Sequence, residues 1–103
     1  VHNGIIENHR ELAHRLYSRH KFVSETDTEV VVHLIEDYVA NGSSLEDAVR
    51  LVGKELKGSY AIAAISAREP DRIVALRKDS PLVVGLGNEG NFVCLCRDQC
   101  MNP

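Results

Sequence analysis

The sequence has 103 residues, of which 44% are hydrophobic and 26% charged, and its formal net charge is -3. This length suits one small domain, and the composition is typical of a globular protein and excludes a disordered one. Acidic and basic residues are interspersed, so we expect neither a nucleic acid nor a membrane as partner. Apolar runs such as 82–86 fall far short of the roughly 20 residues of a membrane helix.

Three cysteines lie close together near the end, at Cys94, Cys96 and Cys100. An odd number at this spacing is a poor disulfide framework and favours a reducing compartment, so we expect a cytoplasmic protein. The cluster lacks the second Cys/His pair of a zinc finger, and no two histidines stand four residues apart as on a metal-binding helix. No Gly-rich nucleotide motif is present, and the sequence therefore predicts neither a metal site nor a cofactor.

Three helices are predicted in the first half of the chain. Capping side chains begin them at Asn8, Thr26 and Ser43 or Ser44, the first two with a Glu three residues later. Gly42 and Gly58 end the second and third helices, and a strand-like stretch, 22–23, follows the first. The apolar stripes at helical spacing are Leu12, Ala13, Leu16 and Tyr17, then Val31, Leu34, Ile35, Tyr38 and Val39, then Leu45, Ala48, Val49, Val52 and Leu56.

The second half of the chain predicts four strands, at 60–65, 73–76, 82–86 and 92–95. Turn-forming residues separate them at 69–71, 79–81 and 87–90. Short turns imply antiparallel neighbours and hence a meander, and strands this apolar should be covered on both faces. Helices followed by a meander predict an α+β fold.

Two places could carry chemistry. Asn3-Gly4 is either a turn, because both residues tolerate positive φ, or a pair of amide donors for a developing oxyanion. Asp27 either helps to cap a helix or holds the amino group of a small ligand. Spacing alone leaves both alternatives open at each place.

Two runs, VHNGIIENH at 1–9 and SETDTEV at 24–30, together resemble the glutaminase domain of the glutamine–fructose-6-phosphate aminotransferases. GSYA at 58–61 and DSPLVVGLG at 79–87 are similar to later signatures of the same family, so the resemblance extends to about residue 93. The resemblance implies a piece of the αββα sandwich of the N-terminal-nucleophile hydrolases: a partial glutaminase domain at 1–95 and a divergent tail at 96–103.

The resemblance also implies a reaction. An N-terminal Cys thiolate attacks the side-chain amide of L-glutamine and releases ammonia and then glutamate. Isomerase domains outside this chain use the ammonia to convert fructose 6-phosphate into glucosamine 6-phosphate, in a parent enzyme expected to be a homo-oligomer. Asn3 and Gly4 match the oxyanion hole, and Asp27 matches the carboxylate that binds the α-amino group of glutamine.

The chain departs from the family where the nucleophile should stand, because its first residue is Val1. We therefore expect an internal fragment that is inactive alone. Two alternatives remain open at this point. One is a non-catalytic relic or interaction module of the same fold, and the other is a fragment of an amidophosphoribosyltransferase.

Overall fold

The computed structural model describes residues 2–80 in full and the backbone of two further strands, at 83–86 and 91–94. The predicted tail at 96–103 and the turn at 87–90 lie outside the described residues, as do Cys96 and Cys100. In chain order the elements are β1 (His2–Ile6), α1 (His9–Leu16), α2 (Asp27–Ala40), α3 (Leu45–Glu55), β2 (Gly58–Ser66), β3 (Glu69–Lys78), β4 (Val83–Leu86) and β5 (Asn91–Cys94).

The sheet topology confirms the antiparallel pairings but not one continuous meander. In the described part of the chain, β1, β2 and β3 form one sheet in that order, and β4 and β5 form a separate pair. The sequence prediction missed β1 because Asn3-Gly4 is typical of a turn. In the structure the segment is extended, and its residues pair with β2 from His2↔Ile62 to Ile6↔Gly58.

The core lies between the helices and one face of this sheet. Ile6, Tyr60 and Ile62 of the sheet are buried together with the apolar stripes of the helices. All five predicted stripe positions from Leu45 to Leu56 are buried. Tyr17 was predicted in the α1 stripe but is 57% exposed, because it lies at the C-terminal end of that helix.

The expectation that both faces of the strands are covered is wrong at three positions. Ile5, Ile65 and Ile73 are 70%, 76% and 52% exposed. The described residues place all three helices against the core and leave these side chains outside it. Exposed large apolar groups in one sheet indicate a surface that is suited to contact with further protein.

The predicted start of α1 is right, but the expected cap is wrong. Asn8 precedes the helix without a side-chain capping bond. Its amide instead donates to the carbonyl of Glu55 at 2.8 Å and accepts from the backbone N–H of Lys57 at 2.9 Å. This contact ties the start of α1 to the connection between α3 and β2, which lies almost fifty residues away in the chain.

The three helices are also joined by a small polar cluster around Glu55. Arg15 of α1 donates to Glu55 at 2.6 Å, and Tyr38 of α2 donates to it at 3.0 Å. The hydrogen bond to this carboxylate raises the pKa of Tyr38, and burial raises it further. The same carboxylate raises the pKa of Arg15.

Within the described residues, no helix has both the length and the apolar character needed to cross a membrane.

Candidate functional site

The N-terminal end of α2 lies against β1, and this contact brings Asp27 close to Asn3-Gly4 in space. The backbone N–H of Ile6 donates to a carboxylate oxygen of Asp27 at 3.3 Å. Gly4 and Ile6 are two residues apart, and in a strand such N–H groups point to the same edge. Since β2 occupies the other edge, Asp27 and the Gly4 amide lie along one open edge of β1.

Gly4 can only be a glycine in this arrangement. Its φ is +103°, a value that side chains with a Cβ rarely adopt. An added Cβ would collide with the carbonyl oxygen of Ser59 and would lie 2.8 Å from the Cα of Tyr60. The strand partner therefore requires glycine here, and the turn-like Asn-Gly sequence serves a close approach of two strands.

Asn3 and Gly4 are exposed, and the two groups are bonded to each other. The N–H of Gly4 donates to the side-chain oxygen of Asn3 at 3.0 Å. An oxyanion could take both donors only after the Asn3 amide turns, so that its NH₂ replaces its oxygen at the site. Two donors thus lie next to each other at a solvent-accessible strand edge. One rotation of the Asn3 side chain converts the present arrangement into one in which both donors can bind an oxyanion.

His2 is a site residue that the sequence prediction missed. Its side chain is only 4% exposed, and its Nδ1 lies 2.9 Å from the hydroxyl of Thr28 and 3.7 Å from a carboxylate oxygen of Asp27. Its Nε2 is buried and has no hydrogen-bond partner among the described residues. His2 thereby anchors the start of β1 to the first turn of α2, and only the fold shows this contact because 26 residues separate the partners.

The segment before α2 holds the helix start in place. Thr26 caps the helix through its hydroxyl, which accepts from the N–H of Glu29. The Glu29 carboxylate turns back and accepts from the N–H groups of Val23 and Ser24, both at 2.8 Å, and from the Ser24 hydroxyl at 2.6 Å. The predicted strand at 22–23 is therefore wrong, because these backbone donors bind a side chain and not a neighbouring strand.

Those hydrogen bonds fix Glu29 in its charged form. The Ser24 hydroxyl is the largest cause that lowers the pKa of Glu29, to about 2, and the Val23 and Ser24 amides and His33 contribute in the same direction. A carboxylate that accepts several donors is stabilised as the anion. Asp27 stands two residues earlier on the same turn, so this network sets the position of the candidate ligand-binding carboxylate.

A groove of about 780 Å³ opens beside this junction. It runs between α2 and the β2–β3 hairpin, and its lining is mostly apolar apart from a few side chains that include His2, Thr28 and Glu36. Its size suits a small ligand. His2 and Thr28 connect this groove to the edge of β1 where Asp27 lies.

The sequence predicted no metal site, and among the described residues the structure brings together one group with suitable side chains. His20, His33 and Glu36 each offer a ligand atom within 4.8 Å of the others. The spacing of these residues in the sequence gave no signal, because His20 lies outside α2 and reaches the helix only through the fold.

Comparisons with known proteins fit this architecture. The profile of a family described as "Glutamine amidotransferase domain" matches residues 1–99. Two glutamine–fructose-6-phosphate aminotransferases (isomerizing) are similar in sequence. The protein from Methanothermobacter thermautotrophicus is 57% identical over 93 residues, and the one from Clostridium tetani is 56% identical over 94.

The matches cover 89% and 90% of this chain but only 16% and 15% of those two proteins. Among solved structures, the glutamine phosphoribosylpyrophosphate amidotransferase of B. subtilis has a TM-score of 0.75 at 26% identity, over 90% of this chain and 20% of that one. This likeness confirms the α+β fold of an N-terminal-nucleophile amidotransferase. The chain belongs to the glutamine amidotransferase domain family.

Proposed function

We propose that this chain is part of a glutaminase domain, in which Asp27 binds the α-amino group of L-glutamine and Asn3 and Gly4 stabilise the oxyanion. The observation that carries the proposal is the contact between the start of α2 and β1, which sets the Asp27 carboxylate along the strand edge that bears Asn3 and Gly4. One ligand of the size of an amino acid could then meet both groups.

Asp27 has the capacity to bind a cation. Its side chain is 26% exposed, and its one backbone hydrogen bond is long, at 3.3 Å. An ionised carboxylate offers about four acceptor positions, so most of that capacity is free for an ammonium group. A charge-assisted hydrogen bond of this kind selects an amino acid over a plain amide.

Asn3 and Gly4 have the chemistry of an oxyanion hole. When a thiolate attacks the glutamine amide, the carbonyl oxygen becomes an anion, and fixed N–H donors stabilise it more than they stabilise the ground state. In comparable sites each such donor contributes roughly 3 kcal/mol. The attacking thiolate and the group that binds the glutamine carboxylate are proposed to come from other parts of the full-length protein.

The proposed reaction of the full-length protein follows its sequence relatives. Two of them are glutamine–fructose-6-phosphate aminotransferases by name, so we propose L-glutamine as nitrogen donor and fructose 6-phosphate as acceptor. The acceptor would bind to isomerase domains outside this chain. We further propose a partial glutaminase domain at 1–95, a divergent tail at 96–103, a cytoplasmic location and a homo-oligomeric parent enzyme.

Glutamine hydrolysis by the full-length protein tests the site. We expect Asn3→Ala to lower kcat by roughly 10²–10³-fold, because one oxyanion donor is lost. We expect Asp27→Asn to lower kcat/KM by roughly 10–100-fold, because one charged hydrogen bond is lost. Asp47→Asn is the matched control, since Asp47 occupies the first turn of α3 as Asp27 does that of α2. Equal activity of Asp27→Asn and Asp47→Asn would contradict the proposed role of Asp27.

The likeness to the B. subtilis amidotransferase favours a second candidate, a phosphoribosyl acceptor. The two candidates differ in the product that forms from ammonia. Incubation of the full-length protein with glutamine and either fructose 6-phosphate or phosphoribosyl pyrophosphate distinguishes them. We expect an aminated sugar phosphate from fructose 6-phosphate and none from phosphoribosyl pyrophosphate.

The exposed Ile5, Ile65 and Ile73 support a third candidate, an interaction module of the same fold without catalysis. Glutaminase activity of the full-length protein that depends on Asn3 excludes it. Inactive full-length protein that still binds a partner through these side chains would favour it over the enzyme.

A further inference from the structure

A second group of polar side chains lies where α2 meets the segment after α1, and consists of His20, His33 and Glu36 (the histidine cluster). His33 and Glu36 stand three residues apart on the helix and therefore share one face. His20 comes from the segment after α1, and its ring lies against that of His33, tilted by 39° with centroids 4.5 Å apart. One ligand atom of each residue lies within 4.8 Å of the other two.

The atoms that converge in this cluster are not hydrogen-bonded to one another. The Nδ1 of His20 lies 3.7 Å from Glu36 Oε2, and the Nδ1 of His33 lies 3.8 Å from the same oxygen. Both distances exceed the length of a hydrogen bond. They are close to the separation of about 3.4 Å that two ligands keep around one tetrahedral ion with bonds of 2.0–2.1 Å, and Glu36 is exposed enough to move inward.

The opposite nitrogen of each ring is held by a carboxylate. The Nε2 of His20 lies 2.6 Å from Asp37, and the Nε2 of His33 lies 3.0 Å from Glu29. When Nε2 of a neutral imidazole donates its proton, the lone pair stands on Nδ1. A carboxylate behind each histidine is the usual outer contact of a metal ligand, because it fixes the ring and makes its free nitrogen more basic.

Both carboxylates are themselves fixed. Asp37 also accepts a hydrogen bond from Arg19 at 2.8 Å. Glu29 is fixed by the N–H groups and the hydroxyl that precede α2. The two rings are therefore oriented before any ion arrives.

One atom of the cluster lacks a partner. The Nδ1 of His33 is buried and forms no hydrogen bond among the described residues. The side chains of His20 and His33 are only 12% and 13% exposed. A buried nitrogen without a partner destabilises the fold, and a cation between the two nitrogens and Glu36 would supply that partner. The side chain of Glu36, which is 57% exposed, leaves an open path for an ion and its waters.

We propose that His20, His33 and Glu36 bind one divalent transition-metal ion, with Zn²⁺ the best match. Two imidazole nitrogens and one carboxylate suit Zn²⁺, whereas Mg²⁺ and Ca²⁺ prefer oxygen alone. Water completes the coordination. The ion joins the segment after α1 to α2, so its role is to hold these two segments together. This proposal does not depend on the glutaminase site.

The experiment measures Zn²⁺ binding by calorimetry and by competition with a chromophoric chelator. The protein carries no polyhistidine tag, and Cys94, Cys96 and Cys100 are replaced by Ser so that thiolates cannot bind the ion. We expect one ion per chain and a higher Tm that a chelator reverses. Co²⁺ should give absorption bands of nitrogen and oxygen ligands in the protein with its cysteines intact, without intense thiolate bands.

Four variants locate the site. His33→Ala and Glu36→Gln should abolish tight binding, and Glu36→Gln changes an exposed side chain that the fold does not need. Asp37→Asn should weaken binding by roughly 10-fold, while His14→Ala, an exposed histidine of α1, should leave binding unchanged. The proposal would be overturned if the protein without these four substitutions bound no Zn²⁺. It would also be overturned if binding survived both His33→Ala and Glu36→Gln.

Discussion

The first turn of α2 presents two carboxylates to two different regions of the molecule. Glu29 faces the segment at 23–24: its Oε1 accepts from the amide and hydroxyl of Ser24, and its Oε2 contacts the Val23 amide and His33. Asp27 faces β1 and accepts one long bond from Ile6. The same helix turn thus holds one carboxylate with saturated acceptors and one with free acceptors, and only the second has the capacity to bind a ligand.

The two sides of this helix turn therefore have separate roles. The Glu29 side positions the helix start, and the Asp27 side is the one that we propose meets the substrate. Changes on the Glu29 side should therefore alter stability first, and changes on the Asp27 side should alter catalysis first. Variants in each region test this division of roles.

The largest effect on stability is expected at the backbone that Asp27 faces. Gly4→Ala should lower the free energy of unfolding by about 2–5 kcal/mol, because it combines a strained φ with a collision against β2. Gly42→Ala is a matched control, since its φ is also +103° but no atom lies within 4 Å of its added Cβ. That variant should cost about 1–2 kcal/mol. Equal losses in denaturant titrations would show that the close approach of β1 and β2 does not constrain this position.

A smaller loss is expected when the Glu29 side is broken. Glu29→Gln should lower the Tm at neutral pH more than Asp27→Asn does, because it removes charged hydrogen bonds to Val23 and Ser24. The folded-state pKa of Glu29 is lowered from 4.5 to about 2, so its contribution is complete above pH 4.5 and disappears as the pH falls towards 2.

Thermal unfolding of both proteins across this pH range checks the sign. The Tm difference between the wild-type chain and Glu29→Gln should shrink from pH 5 to pH 2. Glu25→Gln, on the exposed segment before α2, is the control and should show no such trend. A difference that grows on acidification would contradict the role of Glu29.

The smallest effect is expected from one hydroxyl. Ser24→Ala removes the strongest of the contacts that lower the pKa of Glu29, so that pKa should rise towards 4.5 and the acid loss of stability should begin at higher pH. NMR titration of the Glu29 side-chain carboxyl measures it directly. Ser18→Ala, at an exposed position after α1, should leave the titration unchanged, and an unchanged titration in Ser24→Ala would refute the contact.

How far the sequence predicts this structure depends on the range of each interaction. The α3 stripe from Leu45 to Leu56 was predicted completely, because helical periodicity is local. Thr26 was correctly predicted as a cap for the same reason. Asn8 was not, because its amide contacts Glu55 and Lys57 far along the chain, and no local pattern encodes that contact.

The candidate site divides in the same way. Asn3, Gly4 and Asp27 were predicted from the family resemblance, and their roles stay predictions. His2 was missed because its partners Thr28 and Asp27 approach only when α2 meets β1. The histidine cluster was missed because its ligands come from two segments, whereas the expected signal was two histidines one turn apart.

The most direct test of the central claim uses a substrate without the group that Asp27 is proposed to bind. The full-length protein is assayed with L-glutamine and with 4-carbamoylbutanoate, which has the same amide but no α-amino group. Asp27→Asn should lower kcat/KM for L-glutamine by roughly 10–100-fold and leave the slow reaction of the analogue nearly unchanged, whereas Glu29→Gln should affect both substrates alike. Equal losses on both substrates in Asp27→Asn would contradict the account.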